Sequence, residues 1–398
     1  MFDFESRKII EALRSGVPSR DVGRYFTQAR HELVAAITGS LDRVRDSGNP
    51  DGIIVSGRYG EGKTHMLNTV FSIAHEKNMA VSMISLSKET PMDKLPFILQ
   101  KVAVNTYLPG KEQPGLERCF DGLTYSDPRA KKLLEYAANN LETNKLYFVL
   151  ASLLKTEDAE MRFKLLADLE GDFIANAELK RIYRSIFGEP AKFNVNFSKT
   201  KHTMDYFMFM SRMISVLGCD GWVILFDEME LTGRLGKKAS QKAYRNMTEF
   251  LPPLGKLAGT FSMFAVSASY VEDVIEGKHE YENLEELFPD DTAPGKLILD
   301  MISGAEELKT LTRDEVTAVI TGIMDYHSRA YDWNPDVSVE KIVKKAESSG
   351  YLLRSRVRTA IEILDQLYQY GKIGNISLGG LSTESYEELP SLEDLPED

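Results

Sequence analysis

Cysteine, long apolar runs and basic charge are all scarce in this sequence. Only two cysteines, Cys119 and Cys219, occur in 398 residues, far apart along the chain and with no second ligand at metal spacing. That excludes a disulfide framework and a zinc motif, and it predicts plain thiols in a reducing cytoplasm. No stretch approaches the ~20 consecutive apolar residues of a membrane span. Met1 to Arg14 mixes charges among its apolar residues instead of building a signal-peptide core, so the expectation is a cytoplasmic protein with no membrane partner. Lys and Arg number 48 against 60 Asp and Glu, a net charge of −12. Binding a phosphate backbone calls for a basic surface, so the balance argues against general affinity for nucleic acid and leaves DNA only a local basic groove. The six histidines form no ligand cluster.

What is present is ordinary globular material, 43% hydrophobic and 27% charged, enough for a core domain with one or two smaller helical modules. From Glu5 to Ser47 apolar residues recur at helical spacing, broken by a turn at Gly16 to Ser19. Gly52 to Ser56 is short, apolar and β-branched, as a buried parallel strand is. A helix is predicted from Lys63 to about His75, and Ala80 to Leu86 reads as the next strand, completing a βαβ unit. Residues 91–217 are helical in pattern, including Ala130 to Leu141 and a long run from Ala159 to Phe187. Strand character returns at Trp222 to Phe226 and at Phe261 to Ser267, and more weakly near Leu297 to Ile302. Thr312 and Glu315 have capping-box spacing ahead of a helical stripe of Val316, Val319, Ile320, Ile323 and Met324. A last helix is expected from Leu353 to Tyr370. The organisation predicted is an N-terminal helical linker (1–50), a core in two pieces (51–90 and 218–305), a helical insertion (91–217), a helical lid (306–380) and an acidic solvated tail (381–398).

The chemistry concentrates after the first strand. Gly57, Gly62, Lys63 and Thr64 satisfy GxxxxGK[ST] at every fixed position, with Gly60 a further glycine inside the loop, between a predicted strand and a predicted helix as that loop requires. The backbone from Gly57 through Glu61 to Thr64 would curl its N–H groups around a β-phosphate at the helix N-terminus. Lys63 would bridge the β and γ phosphates of ATP, and the Thr64 hydroxyl would ligate Mg2+. His65 follows directly, its ring incidental to that chemistry. The apolar strand from Trp222 to Phe226 presents Asp227 and Glu228 at its carboxyl end, where open α/β sheets bind ligands. Asp227 is placed to hold the metal through water. Glu228 is placed to polarise the attacking water, which separates a hydrolysing ATPase from a kinase.

Three further features are less specific. The strand from Phe261 ends in Ser267 and Ser269, one of which would sense the γ-phosphate as a polar residue does in related ATPases, although strand-end hydroxyls also serve as turn formers. Arg354, Arg356 and Arg358 open the last helix. Cations there oppose the helix dipole, which favours a role in reaching the nucleotide over a merely solvated start, with the choice of arginine open. Arg245 and Arg234 are candidates for an arginine finger acting on a neighbouring subunit, and each is also an ordinary surface position.

The stretch RKIIEALRSGVPSR (7–20), the phosphate loop and SLSKETPMDK (85–94) together resemble the P-loop ATP-binding proteins of BREX phage-exclusion systems, the BrxD type. The resemblance is concentrated in residues 7–100 and returns at the Asp227 strand. It implies an α/β P-loop NTPase fold of the AAA+ kind, a parallel sheet sandwiched by helices with a helical insertion and a C-terminal helical lid. It also implies an ATP hydrolase acting in antiviral defence beside other proteins such as a helicase; self-association into an oligomer is an open expectation. In AAA+ proteins an N-terminal linker wraps the adenine, which points to Val22, Gly23 and Arg24. Two departures stand out: no winged-helix pattern follows the lid, and the helix after Glu228 lacks an early arginine. The expected function is a Mg-dependent ATPase working as a switch or motor in such a system. The alternatives are an ATP-binding assembly module with little turnover and a DNA-loading ATPase.

Overall fold

The computed structural model describes residues 3–15, 23, 30–111, 113–350 and 352–374. The expected turn at Gly16 to Ser19, the positions Val22 and Arg24, and the acidic tail lie outside them. The chain divides into two compact units, Leu33–Gly57 with Val70–Glu307, and Met1–Glu32 with Arg58–Thr69 and Leu308–Asp398.

The larger unit is built on a six-stranded sheet in the order β3-β2-β4-β5-β1-β6. Its strands are β1 (Asp51–Gly57), β2 (Ala80–Ser85), β3 (Thr106–Tyr107), β4 (Trp222–Asp227), β5 (Thr260–Ser267) and β6 (Glu306–Glu307). All pairings are parallel except β2 with β3. Every residue of β4 is buried, as expected of a central parallel strand covered on both faces. Its side chains lock the register: Phe226 stacks on Phe264 of β5 with centroids 4.2 Å apart, and the Trp222 indole donates to Ser82 Oγ at 2.9 Å.

The helices of residues 91–217 belong to this unit and share its apolar core. The long helix expected from Ala159 to Phe187 is two, Ala159–Leu169 and Asn176–Phe187. Gly171, at φ +96°, breaks them apart, and Asp168 uses the turn to bind the Ile174 N–H at 2.8 Å. Asp168 and Lys145 form an ion pair at 2.6 Å with both side chains wholly buried. The Tyr206 hydroxyl donates to the same carboxylate at 2.7 Å, and Lys145 Nζ lies 4.2 Å over the Phe197 ring. The expected strand near Leu297 to Ile302 is instead the helix Ala293–Ser303. Its buried Ile298, Leu299 and Ile302 recur at helical spacing, a short apolar run that periodicity alone does not separate from a strand. The strand there is β6, two exposed glutamates further on. The two cysteines, distant in sequence, lie near enough here for Cys219 to act electrostatically on Cys119. Burial first, then that neighbour, pushes the Cys119 thiol up to about 12, and burial lifts Cys219 to about 11.

The smaller unit packs the helices Arg313–Tyr331, Val339–Glu347 and Leu353–Tyr370 around a core that includes Val316, Ile320, Ile342 and Ile361. Ile9 and Ile10 of the Phe4–Ser15 helix bury in the same core. The capping box is present: Thr312 caps Glu315 N–H, and Glu315 reaches back to Thr312. Arg14 binds Asp365 through two nitrogens, at 3.0 and 2.7 Å. His327, fully buried, meets Asp365 at 3.0 Å and accepts the Trp333 indole N–H at 2.9 Å. No helix among the described residues is long and apolar enough to cross a membrane.

Candidate functional site

Within the sheet, register brings the expected strand ends to one edge. Gly57 lies opposite Ser267, and Ser85 lies opposite Asp227. Asp227 is 6% exposed; its Oδ1 accepts the Glu228 N–H at 3.0 Å, and its main-chain oxygen accepts Leu86 N–H at 3.0 Å. Glu228 has left-handed backbone, φ 59° and ψ 35°, before a 3-10 turn over Met229–Arg234. For a non-glycine residue that conformation costs on the order of 1–3 kcal/mol. Ser267 and Ser269 face each other at 3.2 Å between hydroxyls, and the Ala268 N–H ties to Gly57 O at 3.1 Å. Arg245 is engaged by its own unit: it pairs with Asp291, donates to the Asp291 carbonyl at 2.7 Å and lies 4.5 Å over Phe288.

In the smaller unit, the glycine-rich loop runs from Arg58 into the Lys63–Glu76 helix, with Gly60 and Gly62 at φ +79° and +95°. Such values suit glycine alone and let the chain curl. The Met66 N–H donates to Gly62 O at 2.9 Å, so the first helical turn closes directly on the loop. Lys63, Thr64 and His65 are half-buried on that turn. Glu61 is 8% exposed, and its carboxylate accepts the Arg58 N–H at 2.9 Å and the Thr310 hydroxyl at 3.1 Å.

The arginines of the last helix part ways. Arg354 Nη1 reaches the Tyr59 hydroxyl in the loop at 3.4 Å, and Leu352 packs at Gly60. Arg356 Nε donates to Gly350 O at 3.1 Å. Gly23 lies so close to the helix that an added Cβ would stand 2.6 Å from the Asn68 carbonyl carbon, and Thr69 Oγ1 donates to Gly23 O at 3.2 Å.

Sequence reasoning missed Arg30, whose guanidinium binds the Glu61 carbonyl at 2.6 Å. Burial pulls its pKa below the usual arginine value, against the opposing charges of Glu315 and Glu61. No local pattern marks it. It also treated Glu61 as loop backbone only, although the acidic side chain bracketed by glycines was a visible signal.

The class these elements define is a mixed α/β protein, a mostly parallel six-stranded sheet flanked by helices. The family model for the BREX system ATP-binding protein BrxC/D matches residues 3–123 and 140–376, and the chain belongs to that family. The resemblance read from residues 7–20, the glycine-rich loop and residues 85–94 is thus borne out, and the family name carries ATP binding and a place in a BREX system. No curated protein matches the chain.

Proposed function

We propose that the chain is a magnesium-dependent ATPase of the P-loop, AAA+-like kind, hydrolysing ATP to ADP and phosphate as a conformational switch or motor in a multi-protein BREX defence system. The observation that carries this reading is the order of the strand ends. β5, ending in Ser267, lies between β1, which leads into the glycine-rich loop, and β4, which ends in buried Asp227 followed by left-handed Glu228. Ligands of open parallel sheets bind beyond the carboxyl ends of such strands.

The loop N–H groups from Gly57 to Thr64 hold the β-phosphate, and Lys63 neutralises the β and γ oxygens. The Thr64 hydroxyl and, through water, the Asp227 carboxylate are hard oxygen donors of the kind Mg2+ takes. When bound, the ion offsets charge on the phosphates. Glu228, next after buried Asp227 at the end of β4, accepts a proton from the attacking water. Ser267 offers its hydroxyl to the γ-phosphate. Arg354 is favoured over Arg356 for the reach from the last helix, because Arg354 already meets Tyr59 while Arg356 is held by Gly350. Arg245 holds the turn from Phe288 to Asp291, and acting as an arginine finger on a neighbouring subunit would require it to leave that partner.

ATP turnover by the purified chain tests the reading. Lys63→Ala is expected to lose nucleotide binding and turnover together. Glu228→Gln is expected to keep ATP bound while kcat falls at least about 100-fold, the lower end for a lost general base. Unchanged turnover in Glu228→Gln would remove it as the base. Tight binding with no turnover in the wild type, alone or with partners, would make the chain an ATP-gated assembly module instead.

A further inference from the structure

The glycine-rich loop is gripped from outside by a residue that has no part in its motif. Arg30 takes a left-handed backbone at φ 58°, and its main-chain N–H donates to Glu315 Oε1 at 2.8 Å. Its Nη2 donates to Glu61 O at 2.6 Å and to Lys309 O at 3.1 Å, and Nη1 lies 3.6 Å from where a Cβ on Gly62 would stand. One loop residue is therefore tied at both ends, its carbonyl to Arg30 and its carboxylate to Thr310. Residues 309 and 310 lead into the Arg313–Tyr331 helix. The glutamate that closes that helix's capping box is the one that holds the Arg30 backbone.

What the grip does follows from peptide geometry. In a trans peptide the C=O and N–H point in opposite directions, and the one cis bond among the described residues is at Pro252-Pro253. Holding the Glu61 carbonyl outward toward Arg30 therefore turns the Gly62 N–H the other way. Gly62, at φ +95°, has wide backbone freedom and would not fix that plane by itself. Converging N–H groups make an anion-binding concavity, and donors set in advance bind charge without a reorganisation cost.

Resting on the ATPase reading, we propose that Arg30 is a positioning residue for nucleoside di- and triphosphates. Through the Glu61 carbonyl it presets the Gly62 N–H for the diphosphate. Through Thr310 and Glu315 it makes that preset depend on how the Arg313–Tyr331 helix is seated, so the loop and the helix respond to each other.

The test is equilibrium binding of ADP, ATP and AMP to the full chain, read by competition with a fluorescent ADP, with the unfolding temperature measured in the absence of nucleotide. Lys63→Ala calibrates the assay: if it still binds ADP normally, the ATPase reading fails, whatever Arg30 does. With that control behaving, Arg30→Met is expected to weaken ADP and ATP alike by about tenfold, less than the loss for deleting a preset donor outright. AMP, which lacks the β-phosphate, should change little, and Arg30→Lys should recover part of the loss. ADP affinity within twofold of wild type in Arg30→Met, or an equal loss for AMP, overturns the proposal. If Arg30→Met does not fold, Thr310→Val carries the test. It removes one hydroxyl, and a severalfold loss of ADP affinity supports the coupling to the helix, whereas an unchanged affinity overturns it.

Discussion

The helices of residues 91–217 in the larger unit and those of the smaller unit are each fastened by a basic residue on a carboxylate, in opposite environments. Lys145 and Asp168 are wholly buried, while Arg14 and Asp365 keep 33% and 17% of their side-chain exposure. Burial acts on both partners of the first pair, drawing Lys145 down and lifting Asp168 above the usual carboxylate range. In the second, burial also acts to raise Asp365, but hydrogen bonds from His327 and Arg14 outweigh it and hold the carboxyl below its usual value. The buried pair is formed at a desolvation cost to both partners, whereas the half-exposed one avoids most of that cost.

The sharpest way to break the contrast is to remove one buried partner. Lys145→Met is expected to destabilise by about 3–5 kcal/mol, because Asp168 is left in the core without its counter-charge. Lys145→Met with Asp168→Leu should cost less than the single change despite the lost Tyr206 and Ile174 contacts; denaturant unfolding of all three proteins decides it. If the double variant is no more stable than the single, packing rather than charge governs the site. Arg14→Ala should cost about 1–2 kcal/mol, the range for a charge-assisted bond that water partly replaces. A smaller effect, about 1 kcal/mol, is expected for Thr312→Ala, which removes the cap of the Arg313–Tyr331 helix. Proteolysis of that unit would show the increased fraying.

The two carboxylates should also differ in the sign of their pH response. Asp365, with its folded pKa depressed, contributes stability above its unfolded value that is lost as pH falls through the folded one. The stability difference between wild type and Asp365→Asn should therefore shrink on acidification. Asp168, with its folded pKa raised, penalises folding once the pH is above its unfolded value, so acidification relieves that penalty. A matching acid loss at both sites would erase that difference in sign.

How far the sequence carried the fold depended on whether the information was local. The β1 strand, the loop and the Lys63–Glu76 helix were readable together because glycine spacing, an apolar run and a helix start occupy one short window. β4 was readable because a strand buried on both faces is continuously apolar. β3 and β6 escaped notice, since two-residue strands have no periodicity and β6 consists of exposed glutamates. The break at Gly171 was hidden inside a run whose two halves are each helical. Arg354 and Arg356 could not be told apart in the sequence, because their different partners, Tyr59 and Gly350, are brought to them by the fold. Arg30 was invisible for a related reason. Its significance lies in a carbonyl 31 positions away along the chain, and nothing about residue type announces that.

β3 and β6 have a consequence for assembly. They form the two margins of the sheet, one reversing direction against β2 and the other presenting Glu306 and Glu307 to solvent beside β1. A short reversed strand and an acidic one are both poor templates for another chain's backbone. Copies of this protein that meet cannot readily extend each other's sheets, so any ring or stack they form has to be held by side chains, and can come apart again without unravelling a ladder of main-chain hydrogen bonds.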